Sequence, residues 1–215
     1  MKPKAEGNLR CGSYSIAIDG EWLVQDFSDF FHYYNEVYSL YFLLLSPTID
    51  PGRTMELMSR YPWKGGYSAV NFYDDIYVAM GKSNRPKVTA IQFASPGTVD
   101  LLLWLGVATL VAKIVNQMAK TGHVINDLYH SIYTSLQKRK LLSLDVRERE
   151  LDISQRELEF IKSTYREFSK ALQVPDPEKF LATAPNPLAA LKILLSLYRR
   201  VKKLTEFQVK GKAQF

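Results

Sequence analysis

The chain has 215 residues, of which 47% are hydrophobic and 13% aromatic, enough apolar surface for a buried core in one domain or in one domain with an appendage. Its single cysteine, Cys11, excludes an internal disulfide and a cysteine-rich metal cluster. Charged residues soon after Met1 interrupt the apolar stretch that a secretory signal needs, so we expect no such signal and a cytoplasmic location.

The net charge of +6 is concentrated at the C-terminal end. Residues 186–215 carry seven basic residues against Glu206 alone, and the rest of the chain is neutral. This distribution argues against a uniformly basic nucleic-acid surface, but it allows a local contact with a polyanion or an anionic membrane. The basic residues predicted for that contact are Lys192, Arg199, Arg200, Lys202, Lys203, Lys210 and Lys212.

The polar residues 1–12 predict a flexible N-terminus. Residues 13–18 alternate between apolar and polar side chains, and a second short run follows at 21–24, with Asp19 and Gly20 between them. Because an Asp-Gly pair favours the type I′ turn that joins two strands, this stretch predicts a β-hairpin.

Aromatic side chains recur at helical spacing between Asp26 and Leu45, and either Asp26 or Ser28 can cap a helix there. Such a stripe can stack on bases or hold a ligand, but aromatic rings bury large areas, so we interpret it as core. The residues of the stripe are Phe27, Phe31, Tyr34, Tyr38, Tyr41 and Leu45.

Residues 46–66 form a connector rich in turn residues, with a short helix predicted over Thr54–Tyr61. The stretch from Trp63 to Gly66 is a candidate phosphate loop, because glycines let backbone N–H groups converge on an anion. The alternative is a flexible turn, which we favour because the full phosphate-loop pattern is missing.

A helix is predicted over Ser68–Met80, with Gly81 as its left-handed end. Residues 87–94 then alternate in the manner of a strand, and this strand leads directly into Ser95-Pro96-Gly97.

Ser95 as N-cap and Pro96 in the first turn predict a helix over residues 98–120, the most uniformly apolar segment of the chain. Its uncharged stretch, 101–112, is shorter than the ~20 residues of a membrane span. We therefore predict a central core helix. The alternative is a helix that leaves the core and enters a bilayer or binds a partner.

Gly122 separates this helix from a second one, predicted over residues 123–141. His123, Asp127 and His130 share one face of it, and two imidazoles with a carboxylate can converge on a metal. No fourth ligand is evident, so we interpret these residues as a solvated surface and predict no metal site.

Residues 143–172 contain a seven-residue repeat that places apolar side chains on two opposed stripes of a long helix. A two-stranded coiled coil would instead space its apolar positions three and four apart. The helix is therefore predicted to lie between two neighbours, which are either both intramolecular or include a second subunit or partner. The predicted partner-binding residues are Val146, Leu151, Ile153, Leu158, Phe160 and Tyr165.

Prolines then interrupt the chain around a short helix at 177–182. Asn186 can cap a last helix over 187–205, with Pro187 at its first position. The basic residues near its C-terminal end either complement the helix dipole or form a basic amphipathic arm.

No motif of a hydrolase, a zinc protease, a phosphate-binding loop or a cysteine metal site occurs in the chain. We therefore predict no catalytic residue and no cofactor. This absence favours a non-enzymatic role, although a fold can also host a site of scattered residues.

Together these patterns predict an α+β fold, in which a small antiparallel or mixed sheet, made of the hairpin and one further strand, packs with aromatic helices. A mainly α-helical C-terminal half follows. The predicted segments are a flexible N-terminus (1–12), a head domain (13–120), a helical region (121–206) and a basic tail (207–215).

The function predicted from the sequence is non-enzymatic assembly or adaptor work, with the helices at 143–172 and 187–205 contacting a second copy or another protein. One alternative is a membrane-acting effector that uses an apolar or basic helix. Another is a nucleic-acid-binding accessory that uses the basic C-terminal arm.

Overall fold

A computed structural model of the chain describes residues 10–46, 48–148 and 153–215. Within these residues the fold is α+β, as predicted, with a four-stranded antiparallel sheet and seven α-helices. The elements are β1 (Cys11–Ile18), α1 (Val24–Leu45), α2 (Pro51–Ser59), α3 (Gly66–Ala79), β2 (Lys87–Gln92), β3 (Gly97–Trp104), α4 (Leu105–Lys138), α5 (Gln155–Ala171), α6 (Pro177–Thr183), α7 (Pro187–Val209) and β4 (Ala213–Gln214).

The described residues form two compact units, each made from separate stretches of chain. Unit 1 contains residues 10–46, 80–120 and 200–215, and unit 2 contains residues 48–79, 121–148 and 153–199. The segment that bears α2 and α3 therefore groups with the later helices. The division predicted from the sequence had placed that segment in the head domain.

The sheet belongs to unit 1 and has the strand order β2-β3-β1-β4. β3 pairs with β1 in the register Ile16 opposite Val99, and all neighbours are antiparallel. Directly opposite residues share a face of the sheet, so one face carries Ile16, Val99 and Leu101, which are at most 1% exposed. This face, which we call the inner face, packs on the core of unit 1.

The predicted hairpin at Asp19-Gly20 is wrong, although its first strand lies within β1. After Gly20 the chain turns and enters α1, whose N-cap is Leu23, and Asp26 Oδ2 accepts a hydrogen bond from the Leu23 N–H at 2.8 Å. Residues 21–24 therefore form no strand. β1 instead pairs with β3 and β4, which lie far away in the sequence.

The predicted helix over residues 98–120 is wrong in its first part, because residues 97–104 form β3. Ser95 and Pro96 lie in the turn between β2 and β3, joined by a cis peptide bond, and neither starts a helix. A Cβ atom at Gly97 would collide with the carbonyl oxygen of Gln92, so this turn requires glycine. The remainder of the segment begins α4.

The break predicted at Gly122 is a kink, since α4 continues to Lys138 with non-helical dihedral angles at Thr121. The helix α3 follows the prediction closely, and Gly81 has the predicted positive φ, at 74°. The short helix α2 is present but begins at Pro51 and ends at Ser59, where the sequence predicted Thr54–Tyr61.

The last two predicted helices are confirmed as α6 and α7. Asn186 Oδ1 accepts a hydrogen bond from the Ala189 N–H at 2.9 Å, as expected of the predicted cap. α7 is four residues longer than predicted and ends at Val209. The predicted basic tail continues from it into β4, which pairs with residues 17 and 18 of β1.

The predicted long helix over residues 143–172 is shorter than expected. α5 begins at Gln155, where Ser154 and Glu157 form a reciprocal capping box, and residues 144–148 are not helical. The local capping signal at Ser154 therefore sets the start of α5, and residues 144–148 are not part of this helix.

The predicted aromatic core of α1 is confirmed in part, because Tyr34, Tyr38 and Tyr41 of the predicted stripe are buried, whereas Phe27, Phe31 and Leu45 are half-buried. Phe30, Tyr34, Tyr38 and Phe42 recur every fourth residue along α1, and all are at most 1% exposed. The Tyr38 hydroxyl accepts a hydrogen bond from the Trp104 N–H at 3.0 Å, which ties α1 to the end of β3.

Candidate functional site

The two-faced surface predicted for the segment 143–172 is mostly covered by unit 2 itself. Val146 is 1% exposed, its N–H donates to Pro62 O at 3.2 Å and its carbonyl accepts from Asn186 Nδ2 at 2.7 Å. Tyr165 is fully buried and donates to Pro177 O at 2.7 Å. Both residues therefore have structural contacts within their own unit.

The other residues of this predicted surface are more accessible. Ile153, Leu158 and Phe160 are half-buried, and the Arg139 guanidinium lies 4.6 Å from the centre of the Phe160 ring. Leu151 lies outside the described residues. α5 buries its main apolar side in unit 2, which agrees with an intramolecular neighbour on that side, and the predicted contact with a second subunit or partner stays a prediction.

Two of the predicted basic contact residues are buried. Arg200 is 8% exposed and donates to Glu36 Oε1 at 2.9 Å in unit 1. Lys192 is 4% exposed and donates to the carbonyl oxygens of Leu142 and Leu144 at 3.0 and 2.9 Å in unit 2. Neither lies on the exposed basic arm that the sequence predicted.

The remaining basic residues are more accessible. Lys212 is half-buried and its Nζ lies 2.7 Å from Asp26 Oδ2, whereas Lys203 faces Glu206 at 3.2 Å on the surface. The exposed basic residues of the predicted set are Arg199, Lys202, Lys203 and Lys210.

An apolar strip that the sequence did not reveal lies on β2. Val88 is opposite Leu101 and Ile91 is opposite Val99, so both point to the inner face of the sheet. Yet Val88 is 48% and Ile91 45% exposed. The inner face is therefore left uncovered at this edge strand.

The same strip continues beyond the end of β2. Phe93 is 66% exposed, and the centre of its ring lies 5.7 Å from the centre of the Phe27 ring. Phe27 is itself half-buried on α1. We call Val88, Ile91 and Phe93 the β2 strip. Alternation marked β2 as a strand, but its position at the sheet edge depends on pairing with β3 and has no local signal.

Unit 2 contains a cavity of about 230 Å³ beside the loop that the sequence marked as a candidate phosphate loop. Lys64 and Gly66 line it at the start of α3, while Lys192 and Arg199 line it from α7. The spacing of Lys192 and Arg199, seven residues apart, places them on one face of that helix. We call this the unit 2 cavity.

Burial lowers the pKa of the Lys192 ammonium to about 8, with Lys64 adding to this effect and Asp145 opposing it. Asp145 is itself held by Arg147, which donates to its two carboxylate oxygens at 2.9 and 2.7 Å. These hydrogen bonds hold the pKa of the Asp145 carboxyl well below its usual range. Among the described residues, Asp145 is the carboxylate that raises the pKa of Lys192, and it is already engaged by Arg147.

A second cavity of about 460 Å³ lies in unit 1, between the turn after β1 and the end of α7. Asp19 and Glu21 line it together with Lys210 and Lys212, so its charges balance. Unlike the unit 2 cavity, it has no excess charge of either sign to attract an ion.

His123, Asp127 and His130, the residues considered for a metal, are exposed on α4. Across residues 10–46, 48–148 and 153–215, no group of three or more His, Cys, Asp or Glu side chains is placed to hold a metal ion. None of the single helices in these ranges combines the length and apolarity of a membrane span; α6 and α7 meet that test only as a pair bent by 119°.

The chain matches no protein-family model, and no curated protein or solved structure is detectably similar to it. Functional inference therefore depends on the geometry of the two units.

Proposed function

We propose that this protein is a non-enzymatic assembly protein that associates with a second copy of itself through the β2 strip of unit 1. The observation that carries the proposal is the exposure of Val88 and Ile91 on the inner face of the sheet. Their neighbours across β3, Leu101 and Val99, are buried on the same face. Apolar side chains that a core leaves uncovered at an edge are typical of interaction surfaces.

The edge strand β2 is better suited to contact through its side chains than to a long run of backbone hydrogen bonds with a strand of another chain. β2 has an irregular register between Val88 and Ala90, and Lys87 stands at its start. Bulges and lysines on edge strands limit indiscriminate pairing with other chains. A specific partner that covers the apolar strip is therefore a better fit than open-ended strand addition.

A second copy of the chain can cover the β2 strip without placing like charges opposite each other. In a two-fold antiparallel arrangement the β2 strip of one protomer packs against the β2 strip of the other. The two Lys87 side chains then stand at opposite ends of the contact, roughly 20 Å apart at about 3.4 Å per residue. The strip itself contains no charged residue.

The contact role predicted for α5 stays a prediction, and the proposal does not depend on it, because much of that surface is buried. The membrane and nucleic-acid alternatives also stay predictions. With Arg200 and Lys192 buried, they depend on the smaller exposed set of Arg199, Lys202, Lys203 and Lys210.

Sedimentation velocity at tens of micromolar protein tests the proposal. We expect the wild type to form a dimer and Ile91→Glu to sediment as a monomer, because a carboxylate would be desolvated in the contact. Val124→Glu is the matched control, since Val124 is similarly exposed, at 57%, but lies on α4 in unit 2. A strictly monomeric wild type, or an Ile91→Glu dimer as stable as the wild type, would refute the proposal.

A further inference from the structure

The described lining of the unit 2 cavity is positively charged. Lys64, Lys192 and Arg199 all line it, and none of its lining residues in the described part of the chain is acidic. Asp145 Oδ2 lies 3.7 Å from Lys64 Nζ. However, Arg147 already donates hydrogen bonds to both carboxylate oxygens of Asp145, through its Nε and Nη2 atoms. The described residues that line the cavity therefore carry a net positive charge.

Lys192 is the most informative member of this cluster. An ammonium group has three N–H donors, and two of them are used by the carbonyl oxygens of Leu142 and Leu144. Carbonyl dipoles solvate the charge only partly, and a buried charge without a counter-ion is costly. Because Lys192 lines the cavity, its third donor is available to an anionic ligand there.

The loop that opens α3 adds further donors. An α-helix leaves the first four N–H groups without intrahelical acceptors, and α3 begins at Gly66 with no acidic residue in its first turn. A Cβ built at Gly65 or at Gly66 meets nothing within 4 Å, so the space beside this backbone is open. An anion can therefore approach the start of α3 closely.

An independent observation comes from Trp63. This residue lines the same cavity and is 5% exposed, and in the part of the chain that the structure describes its indole Nε1 has no hydrogen-bond partner. Buried donors of this kind normally have an acceptor. The Nε1 atom is itself enclosed by protein, so a ligand with several acceptor oxygens would reach it only through a shift of the indole.

We propose that the unit 2 cavity is a binding site for a small phosphate-bearing ligand, held by Lys64, Lys192, Arg199 and the start of α3. Phosphate combines negative charge with several acceptor oxygens, which suits ammonium, guanidinium and backbone N–H donors. The volume limits its size, because pockets for drug-sized ligands measure about 300–1,000 Å³. At about 230 Å³ the cavity fits inorganic phosphate or a small phosphate monoester.

Isothermal titration calorimetry at constant ionic strength, with potassium chloride as the balancing salt, tests this site in the full chain. The probes are inorganic phosphate and glycerol 3-phosphate, and we expect at least one to bind with a Kd below about 1 mM. Tighter binding of one of them identifies the free ion or the monoester as the better ligand. If neither probe shows saturable binding, the proposal is overturned.

Three variants locate the binding. Lys64→Ala and Lys192→Met each remove one charged donor and should weaken binding by about tenfold or more. Lys179→Met removes an exposed lysine of α6, elsewhere in unit 2, and should leave binding unchanged. Equal affinity in all three variants would overturn the assignment. If Lys192→Met does not unfold cooperatively, Lys64→Ala and Arg199→Ala decide the question, since both positions are accessible.

Discussion

Arg200 and Glu36 form a buried ion pair in unit 1, in which Arg200 Nη2 lies 2.9 Å from Glu36 Oε1 and the two residues are 8% and 6% exposed. It joins the C-terminal part of α7 to α1, two helices separated by most of the chain. The pair explains how an arginine within a strongly basic stretch becomes a structural residue. Its long-range pairing with Glu36, and not the local charge excess, determines its role.

Removing one member of this pair should be strongly destabilising. Glu36→Ala leaves the Arg200 guanidinium buried without its carboxylate, and we expect a loss of about 3–5 kcal/mol in the free energy of unfolding. Urea denaturation followed by circular dichroism measures it. Glu206→Ala, which removes the accessible partner of Lys203, should cost less than about 1 kcal/mol. A similar loss in the two variants would contradict the buried role of the first pair.

The Tyr38 hydroxyl should contribute to stability through the Trp104 N–H. Tyr38→Phe keeps the ring and its packing but leaves that N–H without its acceptor at the end of β3, at a cost of about 1–3 kcal/mol. Thermal unfolding of the variant and the wild type, at the same denaturant concentration, measures this loss in the free energy of unfolding. Tyr67→Phe serves as the control, because Tyr67 is 75% exposed, and its unfolding should be unchanged.

The turn between β2 and β3 should not tolerate a side chain at Gly97. Gly97→Ala places a Cβ against the Gln92 carbonyl, and the backbone shift required should cost about 1–3 kcal/mol. Gly122→Ala is the opposite case, since its Cβ meets nothing within 4 Å inside α4. There we expect a gain of up to about 1 kcal/mol from helix propensity. Equal effects of the two substitutions, measured by chemical denaturation, would disprove this reading of the turn.

Protonation of Asp145 should lower the free energy of unfolding at acidic pH. The Arg147 hydrogen bonds lower the pKa of its carboxyl in the folded state below its ordinary value of 3.8. The folded state therefore binds fewer protons there than the unfolded state, and stability falls as pH drops below about 4. Asp145→Asn should be less stable than the wild type at pH 7, with the difference shrinking in acid. Parallel curves of unfolding free energy against pH would contradict this expectation.

Local signals in the sequence were sufficient for several elements. Asn186 with Pro187 marked the start of α7, Gly81 marked the end of α3, and the alternation from Lys87 marked β2. Each of these features depends on residues within a few positions of one another. Capping groups, a positive φ and an alternating pattern act through the backbone next to them, so tertiary contacts are not needed to recognise them.

Part of the candidate phosphate site was also visible from the sequence. The Trp63–Gly66 loop was recognisable as a place where backbone N–H groups can converge, and Lys192 and Arg199 stand seven residues apart on a predicted helix. What the sequence lacked was the proximity of the two segments, which are more than 120 residues apart in the chain. A cavity arises from such long-range packing, which no single segment encodes.

The sequence by itself determined the α+β class, the helical C-terminal half and the aromatic core of α1, because these follow from composition and short-range periodicity. Only the tertiary structure decided that residues 97–104 form a strand, that β1 pairs with β3 and β4, and that Arg200 is buried on Glu36. Strand pairing and burial depend on residues distant in the chain, and their free energy appears only when those residues meet.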